Sequence, residues 1–297
     1  MIKSRFGLSC AISTPFEQSG AIDHGRLVEH ARNCLARGCD SITLFGTTGE
    51  GASIGLAARG RVFESFNSAG IAPCQTLSTI AAASIEDAAD QARMALNAGV
   101  AGILLTPPFY FRGVTDEALY AWFACLFERI GSDARDMFVY HLPSVTGISL
   151  SVALIDRLKR AFPGVVVGVK DSSGSWENTQ ALLNAHSDLM ILVGDERNLA
   201  RAVQTGGSGS ICGVANFAPE LIAPAAKHGK EDPRIRLLVD ALVAHPVLPA
   251  IKALVAHYRR DPEWRHMRPP LSDLAPAAAA GLVAKIADIL RPGQGGA

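Results

Sequence analysis

The constraint that most limits how this chain folds is a repeat of form. Short, almost wholly apolar β-rich runs alternate with longer amphipathic stretches, eight of each in succession. The runs lie at residues 7–13, 41–45, 75–80, 101–106, 137–141, 165–169, 189–193 and 210–213. Helical patterns follow at 23–37, 56–69, 85–98, 116–129, 150–161, 176–185, 196–204 and 218–228. Strand and helix alternating at this spacing is the pattern of parallel βαβ units. Strands that are apolar along their whole length are buried on both faces, as in a parallel sheet covered by helices. Helix ends are punctuated by Arg37-Gly38, Ala69-Gly70, Ala98-Gly99 and His228-Gly229, where a left-handed residue terminates a helix. Ser84 and Thr115 stand where capping hydroxyls are wanted, each followed by first-turn acids.

Eight such units predict a (β/α)8 TIM barrel, an α/β fold, over residues 1–230. An open doubly wound sheet is the rival, but no Gly-x-Gly-x-x-Gly turn follows the first strand. Further helical patterns at 233–244, 248–259 and 277–290 predict that residues 231–297 form a C-terminal helical extension packed on the barrel. The 28 Lys+Arg balance 28 Asp+Glu, so no overall field favours nucleic acid or an anionic membrane surface. No apolar run approaches bilayer-spanning length, and residues 1–16 lack a signal-peptide core. The six cysteines form no Cys-x-x-Cys and are expected to be free, buried thiols of a cytoplasmic protein. The eight histidines show no metal-ligand spacing, so neither metal nor cofactor is expected.

Barrel chemistry sits at the C-terminal ends of the strands. After the second run comes Gly46-Thr47-Thr48-Gly49-Glu50-Gly51, whose backbone N–H groups and hydroxyls suit a small carboxylate. An ordinary Gly-rich turn fits the same residues. The fifth run ends in Tyr140, placed either to carry a proton or simply to pack, with His141 turned the other way by alternation. The sixth ends in Lys170, one of only seven lysines. A lysine closing a buried apolar run is desolvated toward its neutral, nucleophilic form; snorkelling at the rim or pairing with Asp171 is the competing reading. The Pro-aromatic segment Thr106-Pro107-Pro108-Phe109-Tyr110-Phe111-Arg112 suits a loop over a site or a subunit contact.

Taken together, Gly46-Thr47-Thr48-Gly49-Glu50, Tyr140-x-x-Pro143-Ser144-x-Thr146-Gly147 and Gly168-Val169-Lys170-Asp171 resemble the dihydrodipicolinate synthase and N-acetylneuraminate lyase superfamily of pyruvate-dependent class I aldolases. The resemblance covers nearly the whole chain, as far as the Arg268-Pro269-Pro270-Leu271 turn. It implies Lys170 as the Schiff-base lysine and Tyr140 as proton shuttle. Thr47 and Thr48 would hold the pyruvate carboxylate, with Thr47 relaying protons to Tyr140. It also implies Tyr110 as an aromatic reaching into a neighbouring subunit, a homotetramer built from two dimers, and substrate contacts from Gly49, Ile211, Val145, Gly194 and Glu196. Synthases carry Arg where Val145 stands, and valine makes no bidentate carboxylate contact. The implied partners are pyruvate and an aldehyde. Aldolase or dehydratase chemistry on a 2-keto-3-deoxy sugar acid, hydratase-aldolase chemistry on an aryl-pyruvate, a synthase using Arg112 instead, and a non-catalytic keto-acid-binding barrel all stay open.

Overall fold

A computed structural model describes residues 6–291 of the chain; residues 1–5 and 292–297, the outer ends of the predicted barrel and extension, lie outside the described residues. The eight strands close into a barrel in sequence order, each parallel to its neighbours. They are β1 (Gly7–Ala11), β2 (Ser41–Leu44), β3 (Thr76–Ile80), β4 (Gly102–Leu105), β5 (Met137–His141), β6 (Val166–Asp171), β7 (Met190–Val193) and β8 (Gly209–Cys212). β8 pairs with β1 to complete the ring, Gly7 opposite Gly209. The backbones approach so closely there that a Cβ on Gly209 would fall 2.0 Å from the Gly7 carbonyl oxygen, and its φ of +139° also requires glycine.

Around the barrel run α1 (His24–Ala36), α2 (Leu56–Ser68), α3 (Ile85–Asn97), α4 (Asp116–Ile130), the single turn α5 (Pro143–Thr146), α6 (Val152–Ala161), α7 (Trp176–Ala185), α8 (Leu199–Gln204) and α9 (Pro219–His228). The expected caps form: Ser84 accepts from the Asp87 N–H and Thr115 from the Ala118 N–H. Gly38, Gly70, Gly99 and Gly229 all take positive φ. Two details differ from the sequence reading. Residues 196–204 are not one helix: Asp195 caps a 3-10 turn, Glu196–Asn198, before α8 begins. The α5 turn was not anticipated; Pro143 starts it, the Thr146 hydroxyl donates to the Leu142 carbonyl, and left-handed Gly147 ends it.

Three apolar layers follow from strand alternation. Leu104, Phe138, Tyr140, Leu142, Leu192 and Ile211 fill the barrel interior. Met137, Val139 and Val169 face outward under α4 and α6. The remaining layer joins β1 and β2 to the C-terminal helices α10 (Pro233–Val243), α11 (Val247–Arg259) and α12 (Pro276–Ile289), so that these share a core with one half of the barrel. Cys10, Cys34, Cys39 and Cys212 are buried and free, but Cys74 and Cys125 are exposed, contrary to expectation. Cys74 lies in the 3-10 turn before β3, and Cys125 sits on the outer face of α4. Among the described residues no single helix is long and apolar enough to cross a membrane.

Asp171 ties the barrel to its helical shell. Its carboxylate accepts from the Thr179 hydroxyl at 2.7 Å and the Ser173 N–H at 3.0 Å, and lies 3.3 Å from His141 Nδ1. Burial alone would raise its pKa; these bonds outweigh it and bring the group from 3.8 down to about 2. A folded-state pKa below the unfolded one gives stability that is present above about pH 4 and lost as pH falls toward 2. We expect the unfolding free energy of the native protein, from urea titration, to drop over that window by about 2 kcal/mol more than that of Asp171→Asn. Parallel acid limbs for the two proteins would contradict the assignment.

Candidate active site

At the C-terminal rim of the barrel the in-register pairing of β5 with β6 sets Tyr140 opposite Lys170. Both belong to the inward-facing parity, and both are buried, at 3% and 5% exposure. The Lys170 amine donates to the Tyr140 hydroxyl at 3.1 Å and stands 4.2 Å from the centre of its ring. Asp171, the competing partner for Lys170, has the opposite parity and is taken up by His141 and Thr179. His141 accordingly lies outside the cavity, as alternation requires. Burial pushes the Tyr140 phenol up, but the Lys170 charge and hydrogen bonds with Lys170, Ser172 and Thr47 together hold it below its ordinary value.

Thr47 and Thr48 reach the same cavity from the loop after β2. That loop is a run of tight turns: Gly49 and Gly51 donate to the Gly46 carbonyl and Glu50 to the Thr47 carbonyl. Phe45 and Glu50 take positive φ without being glycine, a strained backbone that the surroundings must hold. The Arg59 guanidinium does so from one side. Fully buried, it donates to the carbonyls of Gly51, Ile54 and Thr79 at 2.8, 3.0 and 2.7 Å, and burial lowers its pKa to about 10. Glu50 does so from the other. Its carboxylate meets Lys252 Nζ of α11 at 2.5 Å, with neither side chain exposed, and accepts from the Arg268 N–H at 3.1 Å. Lys252 also donates to the His266 carbonyl, and Arg268 to those of Ser53 and Gly20. The sequence reading singled out neither Arg59 nor the Glu50–Lys252 pair. A buried-length apolar helix carrying one lysine, as in Ala250-Ile251-Lys252-Ala253-Leu254, was the available signal.

The cavity encloses about 350 Å³, at the small end of the usual ligand range of roughly 300–1,000 Å³. Ile211 and Lys170 lie at its floor, Val145 on its rim, and Gly194 and Glu196 along one side. Gly194 leaves no room for a side chain, since a Cβ would fall 1.9 Å from Ser172 Oγ. Glu196 is buried, and desolvation, aided by Asp195, raises its pKa. Gly49 contributes by making the turn, its carbonyl held by the Thr14 hydroxyl at 2.7 Å, and does not line the cavity. Tyr110 is 75% exposed, set edge-on to Phe111, and does not line this chain's own cavity. Arg112 lies over Gly147 and is likewise not part of the lining. Among the described residues no three His, Cys, Asp or Glu side chains converge as metal ligands would.

Comparison places this barrel, with its amine buried against a phenol beside hydroxyl-bearing turns, among enzymes of the lyase class. The profile of the Dihydrodipicolinate synthetase family matches residues 5–288, and the chain belongs to that family. An uncharacterized DapA-like lyase of Chloroflexus aurantiacus is 32% identical over 287 residues, covering 93% of this chain and 94% of that one. A 4-hydroxy-tetrahydrodipicolinate synthase of Porphyromonas gingivalis is 28% identical over 73% of this chain and 72% of its own. The crystal structure of dihydrodipicolinate synthase from Agrobacterium tumefaciens is similar with a TM-score of 0.95 and 51% identity, covering 97% of this chain and all of that one, 100%. A 2-keto-3-deoxygluconate aldolase of Sulfolobus solfataricus shares the fold at a TM-score of 0.83 and 20% identity, over 95% of this chain and 96% of its own.

Removing one partner of a buried ion pair leaves the other charge unpaired, at a cost of about 3–5 kcal/mol. We expect Lys252→Met to lower unfolding free energy by about 3 kcal/mol, and the Glu50→Gln/Lys252→Met double variant to recover a large part of that loss. Urea titration of the four proteins checks this; strictly additive losses would mean that the pair is not coupled.

Proposed function

We propose that the protein is a pyruvate-dependent lyase of the aldolase type that works through an imine at Lys170. The observation that carries this reading is the contact of the buried Lys170 amine with Tyr140 at 3.1 Å in a cavity that Thr47 and Thr48 also line. The Lys170 amine adds to the 2-oxo carbon of pyruvate and water leaves, giving a protonated imine. That imine withdraws electrons from the adjacent methyl group. The Tyr140 oxygen, its own proton passing to Thr47, takes a methyl proton and leaves an enamine. The enamine carbon bonds to the carbonyl carbon of an aldehyde, whose oxygen takes the proton back, and water then frees the lysine and a 4-hydroxy-2-oxo acid. Run in reverse, the same steps cleave that bond and release pyruvate. Thr47 and Thr48 hold the pyruvate carboxylate in the orientation the attack requires.

In this reading the exposed Tyr110–Phe111 pair belongs to a subunit contact of a homotetramer. Sizing chromatography with light scattering is expected to give four chains per particle, and a monomer would remove Tyr110 from the scheme.

Borohydride reduces a trapped imine to a stable secondary amine. With pyruvate present we expect a covalent adduct on the Lys170 peptide, and none in Lys170→Ala, as read by peptide mass spectrometry. Absence of an adduct on the native protein would sink the proposal. Tyr140→Phe should still be trapped, while turnover falls about 10²–10⁴-fold for want of the proton carrier.

A further inference from the structure

The cavity above Lys170 has two unlike walls. Ser172, Ser173 and the turn from Gly194 to Glu196 make one of them polar. The facing wall comes from α5, α10 and α11, and Val145, Val239, Leu242, Val243, Val247 and Leu248 line it. Val145 and Val243 keep 56% and 49% of their surface exposed, and Leu248 and Val247 continue the patch into the cavity. A contiguous apolar surface left open beside reactive groups is suited to an apolar part of a ligand.

Charge decides what that part excludes. Among the described residues that line the cavity, only Lys170 and Arg197 are cationic. Arg197 is fully engaged: Nε and Nη2 donate to Asp195 at 3.0 and 2.7 Å, and Nη1 to Asp240 at 2.8 Å. Two carboxylates on one guanidinium leave no positive charge to offer a third. The positive charge at Lys170, kept in the protonated imine, lies beside the pyruvate it has captured, and Glu196 adds another acid to the polar wall. Arg112 lies over Gly147, outside the cavity lining, and Arg268 is held by the Ser53 and Gly20 carbonyls. A second carboxylate entering here would stand beside acids and find no unpaired cation among the lining residues, an unfavourable arrangement.

We infer that the aldehyde partner of pyruvate is uncharged and carries an apolar tail of aryl or short branched-alkyl size, seated against the α10–α11 wall and Val145. This rests on the imine reading above and specifies its acceptor. The bond made is between the enamine carbon and the aldehyde carbon; the aldehyde oxygen becomes a hydroxyl on the side of Ser172 and Ser173, and no further reactant is needed. A cavity of about 350 Å³ has room for pyruvate with one ring or a short branched chain.

The test uses the full-length native protein. Borohydride trapping with pyruvate is measured first. Product formation is then followed with benzaldehyde, isobutyraldehyde, glyceraldehyde and aspartate semialdehyde. Benzaldehyde or isobutyraldehyde is expected to show kcat/KM at least tenfold above the other two. With trapping intact, preference for aspartate semialdehyde or glyceraldehyde, or turnover of none of the four, overturns the acceptor class and leaves the imine reading standing. Failure to trap defeats both at once. Val145→Arg is expected to shift the ratio of semialdehyde to benzaldehyde kcat/KM upward by at least tenfold, and an unchanged ratio counts against the inference.

Discussion

Everything at the rim of this barrel depends on the lateral register of two parallel strands. β5 and β6 pair so that Tyr140 lies opposite Lys170, and both point inward. One residue of slip would turn one of the two side chains out into the helical layer and bring its neighbour, His141 or Asp171, in beside the other. Those outward residues make their own contact at 3.3 Å, and Asp171 is bonded to α7 through Thr179. The outer pair therefore holds the register on which the inner pair depends. A phenol and an amine brought within hydrogen-bond distance in a nearly dry site then influence one another far more than they would in water.

A second dependence runs from the C-terminal helices to the loop after β2. That loop takes up backbone angles that its own residues do not favour, at Phe45 and Glu50. Arg59 supplies three bonds to carbonyl groups along and beside it, and the Glu50–Lys252 pair fastens it to α11. The helical extension is thus more than a cover on the barrel. It supplies the charge that fixes the turn bearing Thr47 and Thr48, and its α10–α11 face supplies the apolar wall of the cavity. One surface of the extension lines the cavity, while buried Lys252, one turn on from Leu248, fastens the turn that bears Thr47 and Thr48.

Much of this was legible in the chain. Eight apolar runs alternating with amphipathic ones leave few alternatives to a closed parallel barrel, because strands buried on both faces need helices all round. Motifs such as Gly46-Thr47-Thr48-Gly49 and Gly168-Val169-Lys170 were readable because local backbone needs and strand ends are themselves local. Gly194 and Glu196 also proved to lie along the cavity. The α5 turn and the break at Glu196–Asn198 were less so, since each is decided by a few side-chain bonds to backbone.

What the amino-acid order settled by itself, then, is periodicity: which segments are strands, that both faces of each are buried, and that Tyr140 and Lys170 stand at strand ends. Long-range pairing of charges was decided only by the folded chain. Nothing in the spacing says that Glu50 meets Lys252, roughly two hundred residues on, or that Asp195 and Asp240 both claim Arg197. Such choices depend on which groups are desolvated side by side once the barrel closes and the helices settle over it, and distance in sequence carries no information about that.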